Sequence, residues 1–338
     1  LTVAQNSSTN EVIIVVGAPG TDRYQTEFTQ SLSLWQQACT KAQADSFVIG
    51  TDEEATDSDY EKLQHKLSSI SKEGPTPLWI VLIGHGTFDG RAAKFNLRDK
   101  DISASELAKW LEPIKRPLAV INASSSSAPF INRLSTSNRV IVTATRSGDE
   151  QNYARFHNFF AAAVADLQAD LDKDGQTSLL EAFLYANHGV AEFYLAAGRL
   201  ATEHALIDDN GDGLGTRADW FRGIRPVKKA RDDAQLDGYR AHQFHLAPSE
   251  FDKQIPPDLR QKRDQLELQV IQLRDSQTGP PDDAYFAQLE SLLLQIAQIY
   301  DRIDKQTIFS VKWPNQASYK TGNIAGDISS DGVVNLSD

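Results

Sequence analysis

The chain has 338 residues, 40% apolar and 24% charged, a composition ordinary for globular proteins and a length that allows about two domains. Its 34 basic against 46 acidic residues leave a net charge of −12, which speaks against a nucleic-acid or anionic-membrane surface. No apolar run approaches the ~20 residues of a transmembrane helix, and the single cysteine, Cys39, excludes an intrachain disulfide and a cysteine-based zinc site.

Leu1 to Asn10 is polar and reads as the remnant of a leader (1–10). The chain carries no methionine, so a removed leader or an excised fragment is expected. The predicted compartment is accordingly secreted or periplasmic, with any export signal upstream. Glu11 to Val16 is a buried strand ending in Gly17-Ala18-Pro19-Gly20, a loop without the Gly-Lys-Ser/Thr of a phosphate cradle. A helix over Gln25 to Ala42, carrying Cys39 as a buried apolar residue, and a strand Ser46 to Ile49 complete a βαβ unit. Tyr60 to Ile70 is helical, and Pro75 and Pro77 end that section.

The stretch Leu78 to Phe130 organises the rest. Leu78 to Ile83 has the β-branched enrichment of a buried parallel strand, and it stops at Gly84-His85-Gly86. A helix with Ser103 or Ser105 at its N-cap runs to Leu111. A second buried strand, Leu118 to Ile121, runs into Asn122-Ala123-Ser124-Ser125-Ser126-Ser127, and a third begins at Val140. Open α/β sheets carry their chemistry at the carboxyl ends of strands. His85 and Ser124 are therefore expected above neighbouring strand tips.

In this order of strand, His-Gly, Leu97-Arg98-Asp99-Lys100-Asp101-Ile102, helix, strand and small-residue turn, the chain resembles the caspase/legumain clan of cysteine peptidases, nearest the legumain-like family. The resemblance covers residues 11–165 and implies a three-layer α/β/α sandwich with a mainly parallel sheet. It places His85 at the catalytic histidine and Ser124 where the family has its cysteine. Gly17 to Tyr24 would border the cleft. A thiol near a histidine yields thiolate at neutral pH, whereas a hydroxyl needs an aligned general base during attack. Three readings stay open: a silent peptidase site, a polar turn whose hydroxyls cap backbone groups, and a working dyad. In the last, the N–H groups of Gly86 and Ser124 would form the oxyanion hole. A peptide or protein would be the substrate or ligand, and an interaction scaffold is the non-enzymatic alternative.

Phe156 to Leu167 reads as a helix leading directly into Asp170-Leu171-Asp172-Lys173-Asp174-Gly175-Gln176-Thr177-Ser178-Leu179-Leu180-Glu181. An EF-hand loop needs oxygens at positions 1, 3, 5, 7, 9 and 12 with glycine at 6. Asp170, Asp172, Asp174, the Gln176 carbonyl, Ser178 and Glu181 supply them, and Leu179 to Leu200 is the exiting helix. A second loop (208–219) offers Asp208, Asn210, Asp212, the Leu214 carbonyl, Thr216 and Asp219. A third, at 327–338, offers Asp327, Ser329, Asp331, the Val333 carbonyl, Asn335 and Asp338, and looks like the first calcium repeat of a dockerin. Completed by a second repeat, it would bind a cohesin-type partner. The cofactor implied is Ca2+, since magnesium prefers six rigid ligands and retained waters.

His242 and His245, three apart without a matching cluster, read as solvent-facing or structural. Residues 11–250 form the α/β domain on this reading. Two helical stripes over 256–305, divided by Gly279-Pro280-Pro281, predict a helical hairpin, and 307–326 reads as a linker.

Overall fold

The apolar runs of the sequence become neighbours in one sheet. The computed structural model of the chain describes residues 10–310 apart from 53–56, 233 and 278, with side chains as far as Ile303. In chain order the elements begin with β1 (Glu11–Val16), α1 (Asp22–Ala42), β2 (Asp45–Ile49), α2 (Asp59–Ser69) and β3 (Leu78–Ile83). A small antiparallel sheet of β4 (Gly86–Phe88), β5 (Ala93–Phe95) and β6 (Ile102–Ser103) leads into α3 (Ala104–Leu111). Next come β7 (Leu118–Asn122), α4 (Ile131–Leu134), β8 (Arg139–Thr143), α5 (Phe156–Ala163) and α6 (Leu179–Ala196). After them lie β9 (Leu206–Asp208), β10 (Thr216–Arg217), the short helices α7 (Tyr239–His242) and α8 (Glu250–Gln254), and the long helices α9 (Pro257–Asp275) and α10 (Asp283–Ser310).

The main sheet is seven-stranded in the order β10-β9-β8-β7-β3-β1-β2. Strands β2, β1, β3, β7 and β8 pair in parallel, while β9 and β10 are antiparallel. Alternate residues of each strand enter opposite cores, as the two-residue period of a strand requires. Val12, Ile14, Trp79, Val81 and Ile121 pack under α1, α5 and α6. Ile13, Val15, Ile80, Leu82 and Val120 pack under α2 and α3. The result is a three-layer α/β/α sandwich with a mainly parallel sheet.

Register decides the rest. Val16 pairs with Ile83, Leu82 with Asn122, and Asn122 with Thr143. The turns after β1, β3, β7 and β8 therefore sit side by side on one edge. Arg98, in the stretch before α3, clamps the start of α2 by donating to both oxygens of the fully buried Asp59 at 2.6 and 2.7 Å. Cys39 lies in the core, where burial pushes its thiol up to about 11. It is a packing residue.

Several boundaries differ from expectation: α1 begins at Asp22 rather than Gln25, and α10 runs to Ser310, into the expected linker. The helix at Phe156 ends at Ala163 rather than Leu167. Its next turn is pulled apart because the Asp166 carbonyl accepts from Ala169 N and Thr177 Oγ1, while the Lys41 ammonium takes the Ala165 carbonyl. The strand at Val140 begins at Arg139 and ends at Thr143, whose hydroxyl donates to the Thr145 carbonyl. The helix after Glu181 ends at Ala196 rather than Leu200, just before Gly198 at φ +60°. α9 and α10 form the helical hairpin around their own apolar seam of Leu266, Val270, Leu292 and Ile299. No helix of the described residues is long and apolar enough to cross a membrane.

Candidate functional site

His85 leaves β3 between two glycines, of which Gly86 has no room for a side chain and Gly84 little. A Cβ on Gly86 would lie 2.2 Å from the Ser125 carbonyl oxygen and 2.8 Å from Ser124 Oγ. The serine turn thus packs directly on the residue after the histidine. His85 Nε2 lies 3.3 Å from the Pro19 carbonyl, which can only accept, so Nε2 carries the proton and Nδ1 the lone pair. Tyr24 and Phe28, one turn apart on α1, meet the imidazole edge-on with ring centroids at 4.6 and 5.1 Å. Tyr153 closes the box at 6.3 Å. Burial among these rings holds the imidazole below its usual pKa, with the Pro19 contact opposing the shift. A neutral imidazole in a defined tautomer is what a general base requires.

The serine half is arranged otherwise. Ser124 is fully buried, and its hydroxyl donates to Asn122 Oδ1 at 2.7 Å. Ser124 N–H donates to the same oxygen at 3.2 Å. No hydrogen bond joins Ser124 to His85 among the described residues. The Gly86 and Ser124 amides, the pair expected to form an oxyanion hole, both have partners here: Gly86 N–H donates to Ser125 Oγ at 3.1 Å and Ser124 N–H to Asn122 Oδ1 at 3.2 Å. The turn is a small cage of its own hydroxyls. Ser125 Oγ donates back to the Gly86 carbonyl, and Ser127 Oγ accepts from Ala144 N. Ser126 sits at φ +53°, a strained backbone for a non-glycine, and donates its N–H to the Glu150 carbonyl. The loop 146–150 is in turn tied down by a 2.6 Å contact from Glu150 Oε1 to His204 Nδ1.

Sequence reasoning placed Gly17 to Tyr24 at this rim, and Pro19 and Tyr24 do meet His85. It missed Phe28, Tyr153 and Asn122. Only Phe28 had a local signal, its four-residue spacing from Tyr24 on one helix face. Behind Tyr153 its hydroxyl lies 2.6 Å from Nε2 of the buried His157.

The first acidic loop is closed by hydrogen bonds from its own amides to its carboxylates. Asp170 accepts from Lys173 N and Gly175 N, Asp172 from Asp174 N, and Asp174 from Gln176 N. Gly175 takes φ +88°, which its position at the sharp turn demands. Glu181 reaches back: Oε1 accepts from Leu171 N and Asp172 N, and Oε2 from the Ser178 amide and hydroxyl, which also caps α6. Asp170, Asp172 and Asp174 offer oxygens within 4.8 Å of one another. The Gln176 side chain bridges the loop to the segment before α8, its Nε2 donating to Asp174 Oδ2 at 3.0 Å and its Oε1 accepting from Ser249 N at 2.9 Å. No helix leads directly into the loop, because α5 stops at Ala163. The edge of the loop pairs with the segment after α7, Leu179 N–H donating to the Phe244 carbonyl at 2.7 Å. That brings His242 Nε2 to 2.9 Å from Asp172 Oδ2, within reach of Glu181 as well, a neighbour that spacing in the sequence did not reveal.

The second loop departs further from expectation. It joins two strands, β9 and β10, rather than two helices. Asp219, the expected twelfth ligand, is exposed and paired with Arg217 at 2.9 Å, held outward by a short helical turn. Thr216 is buried and donates its hydroxyl to Asp237 Oδ2 at 2.6 Å. Within the loop the Leu214 amide donates to Asp212 Oδ1 and the Asp212 amide to Asn210 Oδ1, while Asn210 Nδ2 donates to the Gln235 carbonyl. The third loop, Asp327 to Asp338, and most of the 307–326 linker lie outside the described residues.

The class these features define is a mainly parallel α/β/α sandwich with a histidine and a serine turn on adjacent strand tips. No family model and no curated protein matches the chain. Among solved structures it is similar to the Drosophila initiator caspase Dronc, with 14% identity and a TM-score of 0.37 over 60% of this chain and 80% of that one. The likeness is one of architecture and carries no chemistry.

Proposed function

We propose that the chain is a calcium-binding protein of legumain-like type whose peptidase site is silent as written. One observation carries the silent site: the Ser124 hydroxyl is spent on Asn122 rather than offered to His85. An alkoxide cannot form without a base taking that proton at the moment of attack. The histidine half, with Nε2 anchored on Pro19 and Nδ1 unprotonated, favours a second reading in which Ser124 turns towards it when a peptide binds.

A fluorogenic peptide panel on the wild type, Ser124→Cys and His85→Ala separates the two. The silent reading expects no turnover by the wild type. Turnover by the serine form, lost in His85→Ala, overturns it. Turnover by Ser124→Cys alone would show a sound base beside the wrong nucleophile. Calcium is proposed at Asp170, Asp172, Asp174, the Gln176 carbonyl, Ser178 and Glu181. An exported location, secreted or periplasmic, would supply that ion. The dockerin-like end would recruit a cohesin-type partner if a second repeat completed it. A chelator that leaves the melting temperature unchanged would remove the calcium reading.

A further inference from the structure

The second acidic loop is left without a twelfth ligand once Asp219 turns outward. Several of its remaining hydrogen bonds nevertheless repeat those of the first loop. Asn210 Oδ1 accepts from Asp212 N and Asp212 Oδ1 from Leu214 N, as Asp172 accepts from Asp174 N and Asp174 from Gln176 N. Gly213, at the place of Gly175, has φ +76°. In the first loop Glu181 receives the second and third amides on one oxygen and the ninth residue on the other. In the second loop a residue from outside does the same. Asp237 Oδ1 accepts from Asp209 N and Asn210 N at 3.0 and 3.2 Å, and Asp237 Oδ2 accepts from Thr216 Oγ1 at 2.6 Å. Asp237 lies in the turn before α7 and is 1% exposed.

An independent observation says that this cage wants a cation. In the first loop Asp170 Oδ2 accepts from the glycine amide, Gly175 N. In the second, that amide, Gly213 N, donates to Ser135 Oγ instead, and Asp208 Oδ2 has no partner although Asp208 is fully buried. Asp212 Oδ2 is a second buried oxygen without a donor. The neighbouring charges repel: Asp212 and then Asp209 act on Asp208, and Asp209 and then Asp208 on Asp237. Arg240 lies near enough to act on Asp209, which also accepts from Gly238 N and Ala241 N. Orphaned buried carboxylate oxygens are costly, and an oxygen-seeking divalent cation would satisfy them.

We infer that Asp208, Asn210, Asp212, the Leu214 carbonyl and Asp237 form a second divalent-cation site of calcium type, in which Asp237 takes the bidentate place vacated by Asp219. The site is independent of the first loop. Calcium titration calorimetry on the chelator-stripped full chain tests it, in the Glu181→Gln background so that the first loop is removed. Asp237→Asn should lose one calcium equivalent or bind it at least ~10-fold more weakly, because a carboxamide cannot bind bidentately. Asp219→Asn should bind like its parent.

Unchanged binding in a folded Asp237→Asn, or an equal loss in Asp219→Asn, overturns the assignment. Should Asp237→Asn not fold, hydrogen exchange on the Glu181→Gln chain decides. Calcium must slow the amides of 234–238 together with those of 209–214, and no change at either overturns the site. Failure of the first-loop reading is seen separately, as an unchanged stoichiometry on Glu181→Gln itself.

Discussion

Ser124 and Asn122 are bound to each other twice, the amide and the hydroxyl of the serine both donating to the same side-chain oxygen two residues upstream. Both residues are fully buried, so water cannot replace either bond. Asn122→Ala should therefore destabilise the fold by about 1–3 kcal/mol, the penalty for orphaned buried donors. Asn122→Asp keeps the acceptor but buries a carboxylate without a counter-charge, and should cost more. Chemical denaturation of the two variants checks the order, and a smaller loss in Asn122→Asp would overturn it.

Arg98 and Asp59 make the most committed ion pair of the sheet's outer layer. Asp59 has no exposure and Arg98 reaches it with two nitrogens at 2.6 and 2.7 Å. Arg98→Ala strands a buried carboxylate and should cost about 3–5 kcal/mol. Removing both partners, as Arg98→Leu with Asp59→Leu, should cost less than the single change. A double variant no more stable than Arg98→Ala would argue against the pair as the cause.

His157 is 1% exposed, and burial lowers its pKa to about 3 from 6.5, with the Arg155 charge adding to the effect. The sign follows from proton uptake. Below pH 6.5 the unfolded chain protonates this imidazole and the folded chain does not, until about pH 3. Stability is therefore lost as pH falls through that window, with a slope approaching about 1.4 kcal/mol per pH unit from this group. His157→Gln should flatten the difference between pH 6.5 and 4, and parallel pH profiles would refute the assignment.

Glu181 serves two purposes in the first acidic loop. Its carboxylate caps α6 with Ser178 and points at the proposed cation. Glu181→Gln keeps the capping reach but loses one anionic oxygen. In chelator its melting temperature should fall modestly, because the new NH2 group faces donors that one Glu181 oxygen had accepted from. Calcium at about 100 times the dissociation constant should add roughly 2.7 kcal/mol to the wild type and far less to the variant. Thermal unfolding with and without calcium measures both.

Apolar runs with β-branched enrichment made β1, β3, β7 and β8 legible from the amino acids alone, because a strand buried on both faces has nowhere to put polar side chains. The Asp170 to Glu181 turn was legible for a related reason: its acidic residues and its glycine stand at fixed local spacings, and the hydrogen bonds between them follow that spacing. Spacing could not show that the Asp166 carbonyl would be drawn into that loop and end α5 early, nor that His242 would arrive beside Asp172. It also put His85 and Ser124 on neighbouring strand tips without showing which way the serine hydroxyl points. That direction depends on the Asn122 side chain and on the closeness of Gly86, both set by the β3–β7 register. The closure of the 208–219 loop by Asp237 rather than Asp219 is the furthest from any local pattern, since Asp237 reaches Asp209, Asn210 and Thr216 from a separate segment before α7. Local periodicity and spacing write themselves into a chain, whereas the partner of a buried polar atom is chosen by whatever the finished fold leaves within 3 Å of it.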